Sequence, residues 1–154
     1  TGQIAALSSS QVQALSTLQL RALASSQMAA FETSDLAIML TEQIAALGST
    51  QLKALTTAQV DALSTDQLTS LTSGQISQFT SRQLQAISTG DLQVLLTEQI
   101  AALTTAQIPA LSTSQVEALT TEQIGSLLTS QIAALRTAQI QALSTEQVPA
   151  LTVR

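Results

Sequence analysis

Leu103-Thr104-Thr105-Ala106-Gln107-Ile108-Pro109-Ala110-Leu111-Ser112-Thr113 is the stretch on which the fold turns. Gln107 stands eight residues after Gln99 and eight before Gln115, and the series runs from Gln3 to Gln147 without a slip. Asp35 and Asp91 alone replace the amide. Nineteen octads, Ser/Thr–x–Gln–Ile/Val/Leu–x–Ala–Leu–Ser/Thr, therefore fill nearly the whole chain. A short fixed period means one small unit used many times, not a globular domain with a unique site.

With Gln at position three, position four is apolar in all nineteen copies, and position seven is Leu in fifteen. Apolar residues three apart share one face of a helical turn, and adjacent apolar positions six and seven break the alternation a strand needs. Ala, Leu and Gln also favour helix. The helix cannot run on, because eight residues rotate an α-helix by about 800° and leave about 80° of drift per octad. The expectation is one short helix per octad.

Two frames place its start. Position one is Ser or Thr in every octad, a natural N-cap. Position eight is Ser or Thr in twelve, and from there Ser/Thr–x–x–Gln spells a capping box. Pro109 and Pro149 both sit at position five, and Pro is tolerated only in the first turn. This favours capping at position one and a helix over positions two to seven. So short a helix is unstable alone, so one octad should be unfolded and stacking on neighbouring octads must supply the stability. The Gln is expected to be at least half buried, its amide bonding backbone groups at the corners of its own or the adjacent octad.

Two octads depart alike: 33–40 and 89–96 use Asp for Gln, a branched residue for Ala, and Leu40 or Leu96 at position eight. They lie seven octads apart, as do Ser70 and Ser126. Duplication of a 56-residue block accounts for this. So does a geometric repeat presenting Leu40 and Leu96 at matching angles for a neighbouring chain, although Leu128 falls outside the spacing.

Composition narrows function by exclusion. Charged residues make up 10% of the chain, and the net charge is −5. Lys53, Arg21, Arg82, Arg136 and Arg154 are scattered, so the electrostatic footprint of a nucleic-acid partner is missing. Cys and His are absent, which removes the usual zinc, haem and iron–sulfur ligand sets and any disulfide. The apolar run Leu36–Leu40 is far short of the roughly 20 residues needed to span a bilayer. Lys53 reads as a solvated face residue. Glu42, Glu98, Glu122 and Glu146 share position two, where a carboxylate complements the helix dipole. The acidic residues show no converging pairs, and Asp35 and Asp91 make poor oxygen cages for calcium. We expect no enzyme, no cofactor, no metal site and no catalytic residue. The chain starts inside a repeat with no leader, as a mature or excised piece of something longer would. Its last residues, Thr152-Val153-Arg154, put Val where Ser/Thr belongs.

Leu103 to Thr113 and Leu40 to Leu47 resemble tandem octapeptide tracts of very large secreted or surface proteins of bacteria, commonly described as haemolysin-like or adhesin-like. The resemblance covers essentially the whole chain and implies an extracellular or cell-surface structural role. The Gly/Asp-rich calcium nonapeptides of such proteins are absent here. A second likeness, to the opening helix of a TAL-effector repeat, lacks that family's second helix and base-reading loop. Residues 1–154 are thus expected to form a single all-α octapeptide-repeat solenoid, a tight superhelix with Ser/Thr corners. It would serve as a rod or filament element that self-associates head to tail, with Ser/Thr ridges open to O-glycans. The alternative is a solenoid scaffold binding a protein or polysaccharide through variable positions two, five and eight. A Thr ladder facing ice or a crystalline polymer is disfavoured, because Ser interrupts the column at 9, 25, 49, 73 and 81.

Overall fold

A computed structural model describes residues 2–151; the departure at Thr152-Val153-Arg154 lies outside them. Seventeen α-helices of four to six residues, from Gly2–Ala5 to Thr137–Gln141, follow one another, with 3-10 turns at Ile108–Ala110 and Val148–Ala150. No strand occurs among the described residues.

The helix begins one residue earlier than Pro109 and Pro149 suggested. In Ser9–Ala14 the N-cap is Ser8 at position eight, its Oγ accepts from Gln11 N–H, and Gln11 Oε1 accepts from Ser8 N–H at 2.8 Å. The capping box is therefore the frame, and the helix covers positions one to six rather than two to seven. The two Pro octads mislead because they are exceptions. Thr104 still caps Gln107 N–H, but Pro109 has no N–H to continue an α-helix, and the octad closes as a 3-10 turn instead.

Position seven ends each unit. Leu15, at φ −62° and ψ 125°, turns extended while its N–H bonds Val12 O, and extended Ser16 then caps the next helix. Two extended residues make the corner, and no described residue has positive φ. Glycine is not needed there, which is why the few glycines fall at scattered positions.

The apolar pair of most octads faces inward; Ile140 and Val148, at position four, are the exposed exceptions. Val12, Leu20, Leu52, Ile76, Ile100 and Ile124 at position four are fully covered, joined by Phe31, Leu55, Phe79, Leu103 and Leu127 at position seven in one continuous core. Sequence neighbours do not stack on one another to build it. Thr41–Ala45 packs on Thr65–Ser70, Thr57–Asp61 on Ser81–Ala86, and Thr89–Val94 on Thr113–Ala118, each pair three octads apart. The path coils and meets itself after three to four octads. Stacking on adjacent octads, the expectation from sequence, gives way to stacking across turns of this coil. The accessible surface of 7410 Å² is close to the ~7400 Å² of a compact protein of this mass, so one copy is stubby rather than thread-like.

Candidate functional site

The near-invariant Gln builds the feature that recurs through the whole molecule. Its carbonyl closes its own capping box, and its amide nitrogen crosses to the preceding turn. Gln99 Oε1 accepts from Leu96 N–H at 2.9 Å, while its Nε2 donates to Leu68 O at 2.9 Å and Leu71 O at 2.7 Å. Gln83 does the same to Leu52 O and Leu55 O, Gln115 to Leu84 O and Ile87 O, and Gln139 to Ile108 O and Leu111 O. The acceptors lie 31 and 28 residues back, at positions four and seven of the octad four before. Burial is as expected from Gln43 onward, with Gln99, Gln123 and Gln139 all at 2% exposure or less, while Gln3, Gln11 and Gln19 are exposed. The partners match the expectation in half: Oε1 accepts at the corner, from the last N–H of the adjacent octad, whereas Nε2 goes four octads back. Every buried Gln amide is used on both sides, as burial demands.

This explains which positions are free to vary. Leu40, Leu96, Leu128 and Arg136 replace the capping hydroxyl, yet their N–H groups still reach the Oε1 of Gln43, Gln99, Gln131 and Gln139. The hydroxyl is therefore dispensable, whereas the amide holds two turns together. Asp lacks the donor. Asp91 accepts from Ser88 Oγ at 2.6 Å and gives nothing to Val60 O or Leu63 O, so the seam is interrupted there. Asp35 accepts from Glu32 N–H and likewise makes no crossing bond.

Leu40 and Leu96 are 44% and 43% exposed. With about 28 residues per turn, their 56-residue offset is two turns, which places them on one side of the coil. Ser70 and Ser126, with the same offset, each reach the previous turn, at Thr41 O and Thr97 O. Lys53 is exposed at position five of Ser49–Ala54. Glu42, Glu98 and Glu122 fall in first helical turns, one place further in than the sequence frame put them, and Glu146 is exposed. Glu98 and Glu122 both line an open groove of about 310 Å³ beside Leu96 and Gln123, a neighbourhood missed from the sequence because it spans three octads. No group of three or more His, Cys, Asp or Glu converges among the described residues. No helix among them is long and apolar enough to cross a membrane.

One capped helical unit, repeated and joined by the same amide crossing, defines an all-helical tandem-repeat protein. The family model of the ALTTAQ repeat matches residues 1–31, 28–65, 52–81, 97–129 and 125–153, and the chain belongs to that family. Its eponymous six residues stand here as Ala54-Leu55-Thr56-Thr57-Ala58-Gln59 and again at 102–107. They span position six of one octad to the Gln of the next, the corner and the capping box together. A search of the curated proteins finds no match.

Proposed function

We propose that this structural repeat module is a non-enzymatic building element of a rod or filament, working outside the cell or on its surface, in a bacterium, and able to self-associate. The glutamine seam carries this reading. The Gln kept in nearly every octad is spent largely on joining successive turns, and the outer positions are small, polar and sparsely charged. Such a molecule has mechanical continuity and little else to select for. Repeat arrays of this kind gain stability from interfaces between units, and end faces of a coil meet by head-to-tail contacts that do not close. The solvent-facing Ser/Thr hydroxyls at positions one and eight are the acceptors we assign for any O-glycan. Antibody labelling of intact cells that express the protein tests the location. Surface label before permeabilisation supports it, and label only after permeabilisation removes it.

The second reading is a scaffold that binds a protein or polysaccharide through positions two, five and eight. The groove holding Glu98 and Glu122 beside exposed Leu96 favours it. Glycan and protein arrays discriminate: saturable binding lost on Leu96→Ser supports the scaffold, and its absence leaves the building element.

A further inference from the structure

Charge divides the wall of the coil into two sides. Counted in turns of about 28 residues, every Asp and Glu, from Glu32 to Glu146, falls within about a third of the circumference. Arg21, Lys53, Arg82 and Arg136 fall within about a fifth of it, centred about half a turn away. These four cations are exposed, and so are the acids other than Asp35 and Asp91. Both signs occur at positions two, five and eight, so place within the octad does not sort them. Place around the coil does. The separation survives a turn taken one residue shorter or longer.

The acidic side also carries apolar surface. Leu40, Val94 and Leu96, 44%, 45% and 43% exposed, lie within it and Leu128 at its edge, while Leu18 lies between the two sides. Leu96 shares its open groove with Glu98 and Glu122, and the same positions two turns earlier hold Leu40, Glu42 and Asp66. On the cationic side Arg82 and Arg136 also stand about two turns apart.

We infer that copies of this chain pack side by side, the acidic side of one against the cationic side of the next. Sliding the neighbour by one turn sets its Arg82 against Glu42 and Asp66, and its Arg136 against Glu98 and Glu122. The aliphatic stems then lie along Leu40 and Leu96 while the guanidinium heads meet the carboxylates. Charge complementarity names the occupant, because two acidic sides repel and an acidic side accepts the opposite one. A single exposed ion pair contributes little, so the contact depends on several in a row together with the covered Leu residues. It joins unlike surfaces on opposite sides of one coil. Such a contact is heterologous and does not close, and it extends into a row of coils.

This inference rests on the self-associating building element proposed above, and the test separates the two. Arg82→Glu with Arg136→Glu turns the cationic side acidic, and Glu98→Lys with Glu122→Lys turns the groove basic. All four side chains are exposed, and the bond from Arg136 N–H to Gln139 Oε1 does not involve the side chain that changes. Sedimentation over a concentration series at about 0.02 M and about 0.5 M salt reads association, and circular dichroism checks that each variant folds. The native chain is expected to associate at low salt and about tenfold or more weakly at high salt. Each double variant alone is expected to associate about tenfold or more weakly than the native chain. An equimolar mixture of the two is expected to regain association, because the altered side of one matches the altered side of the other. A folded variant that associates like the native chain, association indifferent to salt, or a mixture no better than its parts overturns the side-by-side contact and leaves self-association by another surface. A native chain that is monomeric at both salt concentrations overturns both.

Discussion

Replacing Gln99 by Leu removes three short hydrogen bonds at one point of the seam, and a longer one to Thr69 O at 3.4 Å. Leu96 N–H loses its acceptor at 2.9 Å, and Leu68 O and Leu71 O lose donors at 2.9 and 2.7 Å. Gln99 is 1% exposed, so water does not replace the amide. At about 1 kcal/mol for each of the three short bonds, the loss comes to about 3 kcal/mol. Gln11→Leu provides the comparison. Gln11 is exposed in the first turn, and among the described residues its side chain bonds only Ser8 N–H, so its loss costs about 0.5–1 kcal/mol. Urea unfolding followed by circular dichroism measures both, and native-state hydrogen exchange at Leu96 and Leu71 locates the damage. Equal effects at Gln99 and Gln11 would refute the claim that the amide acts across turns. So would a loss at Gln99 below about 1 kcal/mol.

Other perturbations follow the same geometry. Gln99→Glu keeps the acceptor and puts a buried carboxyl against two carbonyls, which raises its pKa in the folded state. The variant should be nearly native in stability below about pH 4.3 and lose stability as pH rises, so a pH series of urea midpoints that is flat relative to the parent contradicts the placement. Asp91→Gln restores donors to Val60 O and Leu63 O and should gain about 1 kcal/mol; a destabilised variant in thermal melts counts against the seam. Ala101→Pro at position five should cost about 1 kcal/mol or less by turning the octad into a copy of 105–112. Ala102→Pro removes the N–H that bonds Glu98 O at 3.1 Å and should cost about 3 kcal/mol. Residues 1–24 hold three octads and no partner across a turn, so that peptide should be unfolded by circular dichroism, whereas residues 1–56 should show helix.

Much of this unit is legible in its eight residues. The apolar spacing gives the helix, the 80° drift stops it, and Ser/Thr–x–x–Gln starts the next one. Pro109 and Pro149 pull the frame off by one residue, because a 3-10 turn accommodates a residue without an N–H where the α-helical octads have one. The burial of Gln follows from its constancy among variable neighbours. Its partner does not. A period of eight says nothing about how many units complete a turn. That number is set by the dihedrals of the two corner residues, as at Leu15 and Ser16, and small changes there accumulate over four octads. The shared groove of Glu98 and Glu122, and the alignment of Leu40 with Leu96, are hidden for the same reason. The chain's membership of the ALTTAQ repeat family agrees with the unit, and the path the units take comes from their packing.

The bridge from each octad to the one four places earlier is most directly observed by nuclear magnetic resonance on protein with selectively labelled Gln. Cross-relaxation from the Nε2 hydrogens of Gln99 should reach backbone protons of residues 68–72 and be absent from 105–112. Contacts confined to the flanking octads, 89–96 and 105–112, would show that the chain stacks neighbour on neighbour and that the seam does not exist.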